Sequence, residues 1–317
     1  MPVGLSIIAA FALDLIFGDP KNSLHPVRWM GVFIEWLENR CRRFFKNELT
    51  GGAVLLTVIT AAVYFAGFLA ASTACAVHPA AGFLAHVLMI YFSISTKSLG
   101  DAAMSVHDPL AEGDIEGARK KLSGLVGRDT VNMDNPQVTR AAVESVAENS
   151  VDGIISPLFF AALGGGPLAL AYRAVNTCDS MIGYRNERYE KFGKASARAD
   201  DAVNFIPARL SIALIYFSAF LLNMDYGNSV KMAIRDRLKH PSPNAGHPEA
   251  AFAGALGIQL GGAGFYQSVS SEKPFIGEPK QEPEARHIAD AVRLMRVTAL
   301  IACVLFALPC LYFSRAF

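Results

Sequence analysis

LTGGAVLLTVITAAVYFAGFLAASTACAVHPAAGFLAHVLMIYFSIST, residues 49–96, runs for 48 positions without an Asp, Glu, Lys or Arg. A hydrocarbon core about 30 Å thick takes roughly 20 helical residues at about 1.5 Å each. The stretch therefore holds two crossings, 51–76 and 80–96, with His78-Pro79 as the turn between them. A water-soluble domain rarely leaves so long a run uncharged. The fold class this implies is all-α, a polytopic integral membrane helical bundle.

Working outward, further apolar segments lie at 3–17, 153–172, 206–224 and 297–313. The first is short, carries Asp14 and follows no basic region, so a partial or peripheral segment of an integrally inserted protein is expected rather than a cleaved leader. Segment 153–172 is interrupted by Pro157 and by Gly164-Gly165-Gly166-Pro167, leaving halves too short to span. A re-entrant hairpin is the expectation there, because irregular backbone at membrane depth survives only in protein or water-lined surroundings. Lys and Arg crowd 21–46, 119–140, 185–209 and 231–239, and they cannot all face one side if every segment crosses. The chain reads as one membrane domain, 1–317, with polar motif loops at one membrane face. Residues 97–152 are expected as an extramembrane helical insertion, 267–283 as a polar linker and 284–296 as an amphipathic helix. The glycine-rich stretch 250–266 is weakly apolar, with interfacial character.

The formal net charge is +1, which leaves no electrostatic footprint for nucleic acid. The five cysteines form no CxxC pair, so neither a disulfide framework nor a zinc site is expected. There is no Walker A loop, GxGxxG or nucleophile elbow. Against that background, NTCDSMIGYRNERYEKFGKASARADDAVN, 176–204, concentrates ten charges, five of each sign. Polar groups crowded beside membrane segments generally handle a charged ligand.

AAVESVAENSVDG places Glu144, Glu148 and Asp152 at i, i+4 and i+8, one face of a helix. Stacked carboxylates repel unless a cation sits among them, and Mg2+ with phosphate is one such cation; a solvated acidic face paired with Arg140 is the plainer alternative. In ARADDAVNFIPAR, Asp200 and Asn204 share a face and Asp201 points elsewhere, with Arg198 and Arg209 flanking. That group suits a metal–phosphate unit, or else a cap and interfacial anchors for 206–224. The loop 179–188 offers Asp179, Arg185, Asn186, Glu187 and Arg188. KHPSPNAGHPEA, 239–250, is stiffened by three prolines and presents Lys239, His240, Ser242, Asn244 and Glu249. DPKNSLHPVRWMG, 19–31, supplies Asp19, His25 and Arg28.

Taken together, FGDPKNSLHPVRWMG, AENSVDGIISPLFFAALGG, AYRAVNTCDSMIGYRNERYEKFGKASARADDAVNFIPARL and KHPSPNAGHPEAAFAGALGIQLGG resemble the CbiB/CobD family of cobalamin biosynthesis, in order and over most of the chain. His247 departs from the aromatic residue expected at that position. The resemblance implies a multi-pass protein of the cell inner membrane with adenosylcobinamide-phosphate synthase activity. Such an enzyme joins a propionate carboxylate of adenosylcobyric acid to the amine of 1-aminopropan-2-ol, or of its O-phosphate, using ATP and Mg2+. Implied partners are those substrates, membrane lipid and other late corrinoid-pathway membrane enzymes, with no nucleic acid. For that chemistry Glu144, Glu148, Asp152, Asp200 and Asp201 are the expected metal ligands. Arg185, Arg188 and Arg198 are expected to grip phosphate, with Lys239 among the catalytic candidates. His240 or Glu249 is the expected base. Asn149, Asn176, Asn186, Asn244, Ser242 and His25 complete the substrate-binding set. Two other readings stay open: a UbiA-type membrane prenyltransferase, for which DDAVN supplies half a motif, and a non-enzymatic AmpE-like signalling protein.

Overall fold

The computed structural model describes residues 3–20, 25–184, 186–266 and 269–313. In chain order the elements are α1 (Val3–Phe17), α2 (Pro26–Phe44), α3 (Glu48–Val77), α4 (Pro79–Tyr91), α5 (Thr96–Ala111), α6 (Ile115–Leu122) and α7 (Asn135–Ser150). One π-helical turn, Val151–Ile155, joins α7 to α8 (Ser156–Ile182). There follow α9 (Lys194–Val203), α10 (Phe205–Leu221), α11 (Tyr226–Asp236), α12 (Gly246–Leu256), β1 (Leu260–Tyr266), β2 (Val269–Ile276) and α13 (Ala285–Phe313). Among the described residues, four helical runs are long and apolar enough to cross a membrane: Glu48–Val77, Pro79–Ala111, Asn135–Ile182 and Ala285–Tyr312. The pair α9 and α10 adds a fifth if counted as one span. The all-α membrane architecture is thus present, and two of these runs extend into 97–152.

The helix starts follow from local chemistry. Asn47 caps α3 by accepting the Leu49 and Thr50 N–H groups, and His78 caps α4 through Ala80 N–H with Pro79 at the first position. Asp134 and Gln137 form a reciprocal capping box at α7.

The chain divides into two compact units. The first comprises Met1–Ser95, Asp152–Asn204 and Cys303–Phe317. Its core joins α2, α3 and α8 through Met30, Ile34, Leu55, Ile59, Ala174, Ile182 and Phe192. The interruption in 153–172 falls at Gly164 and Gly165, whose backbone leaves the helical region; Gly165 has φ 67°. Pro167 offers no N–H, and the amide of Gly166 donates instead to His86 Nδ1 at 3.0 Å. An imidazole thereby satisfies a backbone group freed by the break.

The second unit comprises Thr96–Val151 and Phe205–Ala302. Every residue of α12 is buried. Its small residues let α11 approach closely: Asn228 Nδ2 donates to Gly254 O at 3.0 Å and Ser229 Oγ to Ala251 O at 2.9 Å. Two expectations are corrected here. Part of the stretch read as a polar linker, 267–283, is β2, paired antiparallel with β1 as a β1–β2 hairpin. The amphipathic stretch 284–296 and the apolar segment 297–313 form one helix, α13. Nothing between Arg296 and Val297 breaks the helical pattern, and charge alone had divided them.

Candidate functional site

In the second unit, α7, α12, the proline-stiffened loop and β2 bring a buried charged group together. Glu144 is 2% exposed; its carboxylate pairs with Arg128, and its Oε1 accepts the Gly261 N–H at 2.7 Å. One turn further along α7, Glu148 feels the charges of Lys273, Glu144 and Arg128. Glu249, on the first turn of α12, is 1% exposed, and its Oε1 has no hydrogen-bond partner. His240 Nε2 lies 3.6 Å from that oxygen and 3.3 Å from Lys273 Nζ.

The ring of His240 is oriented by its own loop. Its Nδ1 accepts the Ser242 N–H at 3.0 Å, so in the neutral ring the proton sits on Nε2, facing Glu249. Burial first, and the Lys273 charge next, push His240 down to about 4, which leaves it neutral at physiological pH. Burial above all, then the charges of Glu144 and Glu148, push the Glu249 carboxyl well above the usual range. Ser242 Oγ accepts the N–H groups of Asn244 and Ala245, and Arg209 Nη1 donates to Asn244 Oδ1 at 3.3 Å. Ser242 and Asn244 therefore build the loop that carries His240. His247 is buried nearby in sequence, held down to about 4 by burial and by the Arg209 charge, with Nδ1 lacking a partner.

In the first unit, the π-helical turn, α8 and α9 carry a second polar network. Asp200 is 9% exposed; Asn176 Nδ2 donates to Oδ1 at 3.2 Å and Asn204 Nδ2 to Oδ2 at 3.0 Å. Asn204 Oδ1 accepts from Ser156 Oγ at 2.6 Å and Tyr172 OH at 2.9 Å. Arg173 Nη1 donates to Asn176 Oδ1, and Tyr172 OH reaches the Asp152 carbonyl. Asp152 and Asp201 are half-buried beside this network in the chain.

A family profile described as CobD/Cbib protein matches residues 7–295. The chain belongs to the CobD/CbiB family. It is 46% identical over 302 residues to cobalamin biosynthesis protein CobD of Yersinia enterocolitica, covering 94% of this chain and 95% of that one. It is 46% identical over 299 residues to the CobD protein of Clostridium perfringens, covering 94% of each. Against cobalamin biosynthesis protein CbiB of Salmonella choleraesuis the identity is 43% over 300 residues, 94% of each chain. Membership of this family supports a role in cobalamin biosynthesis. No solved structure matches the chain at a significant level.

Of the residues singled out in this CobD/CbiB sequence, the second unit therefore collects Glu144, Glu148, His240 and Glu249. Lys239 is exposed and engages Asp236 Oδ1 at 2.8 Å and the Phe275 carbonyl. Asn149 folds back on Ser145 through Nδ2. The first unit holds Asp152, Asn176, Asp200 and Asp201. There Arg188 is exposed, donates to Glu38 Oε1 at 3.1 Å and borders a cavity of about 520 Å³. Asn186 Oδ1 caps Tyr189 N–H, Arg198 is exposed on α9, and His25 caps α2 by accepting Val27 N–H. Arg185 lies outside the described residues.

The five carboxylates expected as one metal set are divided between the units, and among the described residues no three metal-binding side chains converge. Mg2+ needs less, because one or two carboxylates suffice when water and phosphate oxygens complete its octahedron. Glu148 fits that demand, as do Asp200 and Asp201 in the other unit, each offering hard oxygen donors. Sequence reasoning missed Arg128 and Lys273 in the second unit, and Tyr172 and Arg173 in the first. Arg128 was visible only as one of the basic residues of 119–140, and Lys273 only as one charge in an assumed linker. Tyr172 and Arg173 lay inside a quoted motif without a role.

Proposed function

We propose that this chain is an adenosylcobinamide-phosphate synthase of the cell inner membrane. It would join the amine of 1-aminopropan-2-ol, or of its O-phosphate, to a propionate carboxylate of adenosylcobyric acid at the expense of ATP. The observation that carries the reading is family membership spanning residues 7–295. The buried group around Glu249 supplies chemistry suited to it.

A carboxylate is unreactive toward amines and needs activation. Phosphoryl transfer from ATP to the propionate oxygen, releasing ADP, makes an acyl phosphate; the amine nitrogen then forms the amide as phosphate leaves. Bound Mg2+ would neutralise phosphate charge; Glu148 is its proposed protein ligand in the second unit, and Asp200 with Asp201 is a separate candidate in the first. Arg128 and Lys273 provide fixed positive charge beside the buried carboxylates, and the exposed Arg188 and Arg198 are suited to capture phosphate. Glu249 is the proposed proton acceptor for the attacking ammonium: burial and the charges of Glu144 and Glu148 raise its proton affinity, and its Oε1 has no hydrogen-bond partner. His240 has its Nδ1 lone pair committed to Ser242 and, in the neutral ring, its proton on Nε2, so it has no lone pair left with which to take the proton. For corrinoid amide recognition the second unit offers Asn149 and Asn244, and the first offers Asn176 and Asn186 as a separate candidate pair.

The test is purified protein with adenosylcobyric acid, aminopropanol or its phosphate, ATP and Mg2+. Amide product with stoichiometric ADP supports the reading. Absence of product with both amines, or turnover of a prenyl diphosphate without ATP, overturns it.

A further inference from the structure

We propose that α2 lies in the plane of the membrane–water interface, with one face set against anionic lipid headgroups and the upper acyl chains. Its inward stripe is Met30, Ile34, Glu38 and Cys41, all buried. The opposite face carries Trp29, Val32 and Trp36, which are 58%, 66% and 51% exposed. Phe33 stacks on Trp36 at 5.7 Å, and Arg40 lies over the Trp36 ring at 5.4 Å. With Arg43, these six residues fall within an arc of about 100° at 3.6 residues per turn. The face is thus aromatic and aliphatic through its first half and basic at its end.

Two independent observations make lipid the occupant. First, Trp29 and Trp36 are the only two tryptophans of the chain, and tryptophan concentrates where bilayer meets water. Second, α2 is joined through residues 45–47 to α3, whose apolar window has a mean hydropathy of 2.2 and is only 17% buried within the protein. A helix of 30 residues, about 45 Å long, with so little protein around it must cross hydrocarbon. Its entrance at Glu48 is bonded to Arg42 at 3.0 Å, and Arg42 to Glu38 at 2.9 Å, so the end of α2 is fastened to the mouth of a crossing. An amphipathic helix held at that depth buries its apolar face among acyl chains and lets arginines reach the phosphate layer. A two-fold contact between copies of this face would bring Arg40 and Arg43 into a desolvated contact with no carboxylate on the arc to answer them. The acidic residues of α2 lie elsewhere: Glu38 in the buried stripe, Glu35 on the flank.

The tryptophans make the full-length, unlabelled protein its own probe. It is reconstituted into vesicles of phosphatidylcholine and phosphatidylglycerol in which the phosphatidylcholine carries bromine either near the headgroup or near the chain end. The expected result is a loss of tryptophan emission that is greater with the shallow bromine. Trp29→Phe and Trp36→Phe should each keep that depth preference, since both residues share the face. Emission quenched by aqueous iodide but by neither lipid overturns the proposal, because the face is then in water. Emission protected from both quenchers also overturns it, because protein then covers the face. Stronger loss with the deep bromine overturns it by placing α2 across the bilayer.

Discussion

Gly261 donates its backbone N–H to Glu144 Oε1 at 2.7 Å, tying the start of β1 to α7 at the point where Arg128 also grips the carboxylate. Gly261 has φ +85°, and a Cβ there would run into the Pro274 carbonyl across the hairpin. Gly261→Ala therefore meets both a left-handed backbone cost of roughly 1–2 kcal/mol and a clash with fixed backbone. Gly113 has φ +84° with nothing within 4 Å of the added carbon, so Gly113→Ala carries the first cost alone. Thermal unfolding in detergent should show Gly261→Ala clearly the less stable of the two, with loss of amide formation. Equal effects would mean that the hairpin does not constrain Glu144.

The Arg128–Glu144 pair gives a second test. Both side chains are largely withdrawn from solvent, 12% and 3% exposed. Removing one partner of such a pair leaves an uncompensated buried charge and costs about 3–5 kcal/mol, whereas replacing both with apolar groups is far milder. Arg128→Met should accordingly destabilise the protein more than Arg128→Met combined with Glu144→Leu. A double variant no more stable than Arg128→Met would show that the pair is not an isolated buried unit.

How much of this could be read in the chain depends on the range of the interactions. The first helix was expected at 3–17 and spans Val3–Phe17, because a bounded apolar run needs no partner to declare itself. The turn at His78-Pro79 and the break at Gly164 and Gly165 were legible for the same reason: proline and glycine act locally. The hairpin was not. Its first strand, LGGAGFY, is too rich in glycine to show alternation, and its second begins among serines and charges, so tertiary pairing rather than propensity forms it. The site follows the same rule. The i, i+4 relation of Glu144 and Glu148 was visible, but their counter-charges arrive from 16 positions upstream of Glu144, at Arg128, and from Lys273 on the hairpin. Local spacing carries no record of such partners.

Asp236 supplies the pH prediction. It is fully buried, and its carboxylate takes Arg235 Nε and Nη2 at 2.7 Å each, Lys239 Nζ at 2.8 Å and the Gly277 N–H at 2.8 Å. Burial alone would raise its pKa; the hydrogen bonds from Arg235, Lys239 and Gly277 more than reverse this and hold it well below the usual carboxylate range. A depressed carboxylate stabilises the fold fully above its unfolded pKa of about 3.9 and loses that contribution as pH falls toward the native value. Wild type should therefore exceed Asp236→Asn in stability at pH 7, with the gap narrowing steadily below about pH 4. A gap independent of pH in that window would rule out the ionic clamp.

Lys273 and Lys239 separate the site as folded from the site as first read. Lys273 Nζ is 3.3 Å from His240 Nε2, and its charge acts on Glu144, Glu148 and Glu249 together. Without it, Glu144, Glu148 and Glu249 lose one of the positive charges that act on them, and the Glu249 carboxyl is driven further upward, away from the proton-accepting role proposed for it. Loss of one preorganised charge in such a setting costs on the order of 10²–10³ in turnover. Lys239, by contrast, is exposed and serves Asp236, whose other donors remain when it is removed. Lys239→Met should cost no more than about 1 kcal/mol of stability and leave turnover near wild type. Assayed side by side for amide formation with saturating ATP, Lys273→Met should lose its rate in kcat while Lys239→Met keeps it. The opposite ranking would move the catalytic charge out to the loop, because only a lysine touching the reacting groups can change kcat without first unfolding the protein.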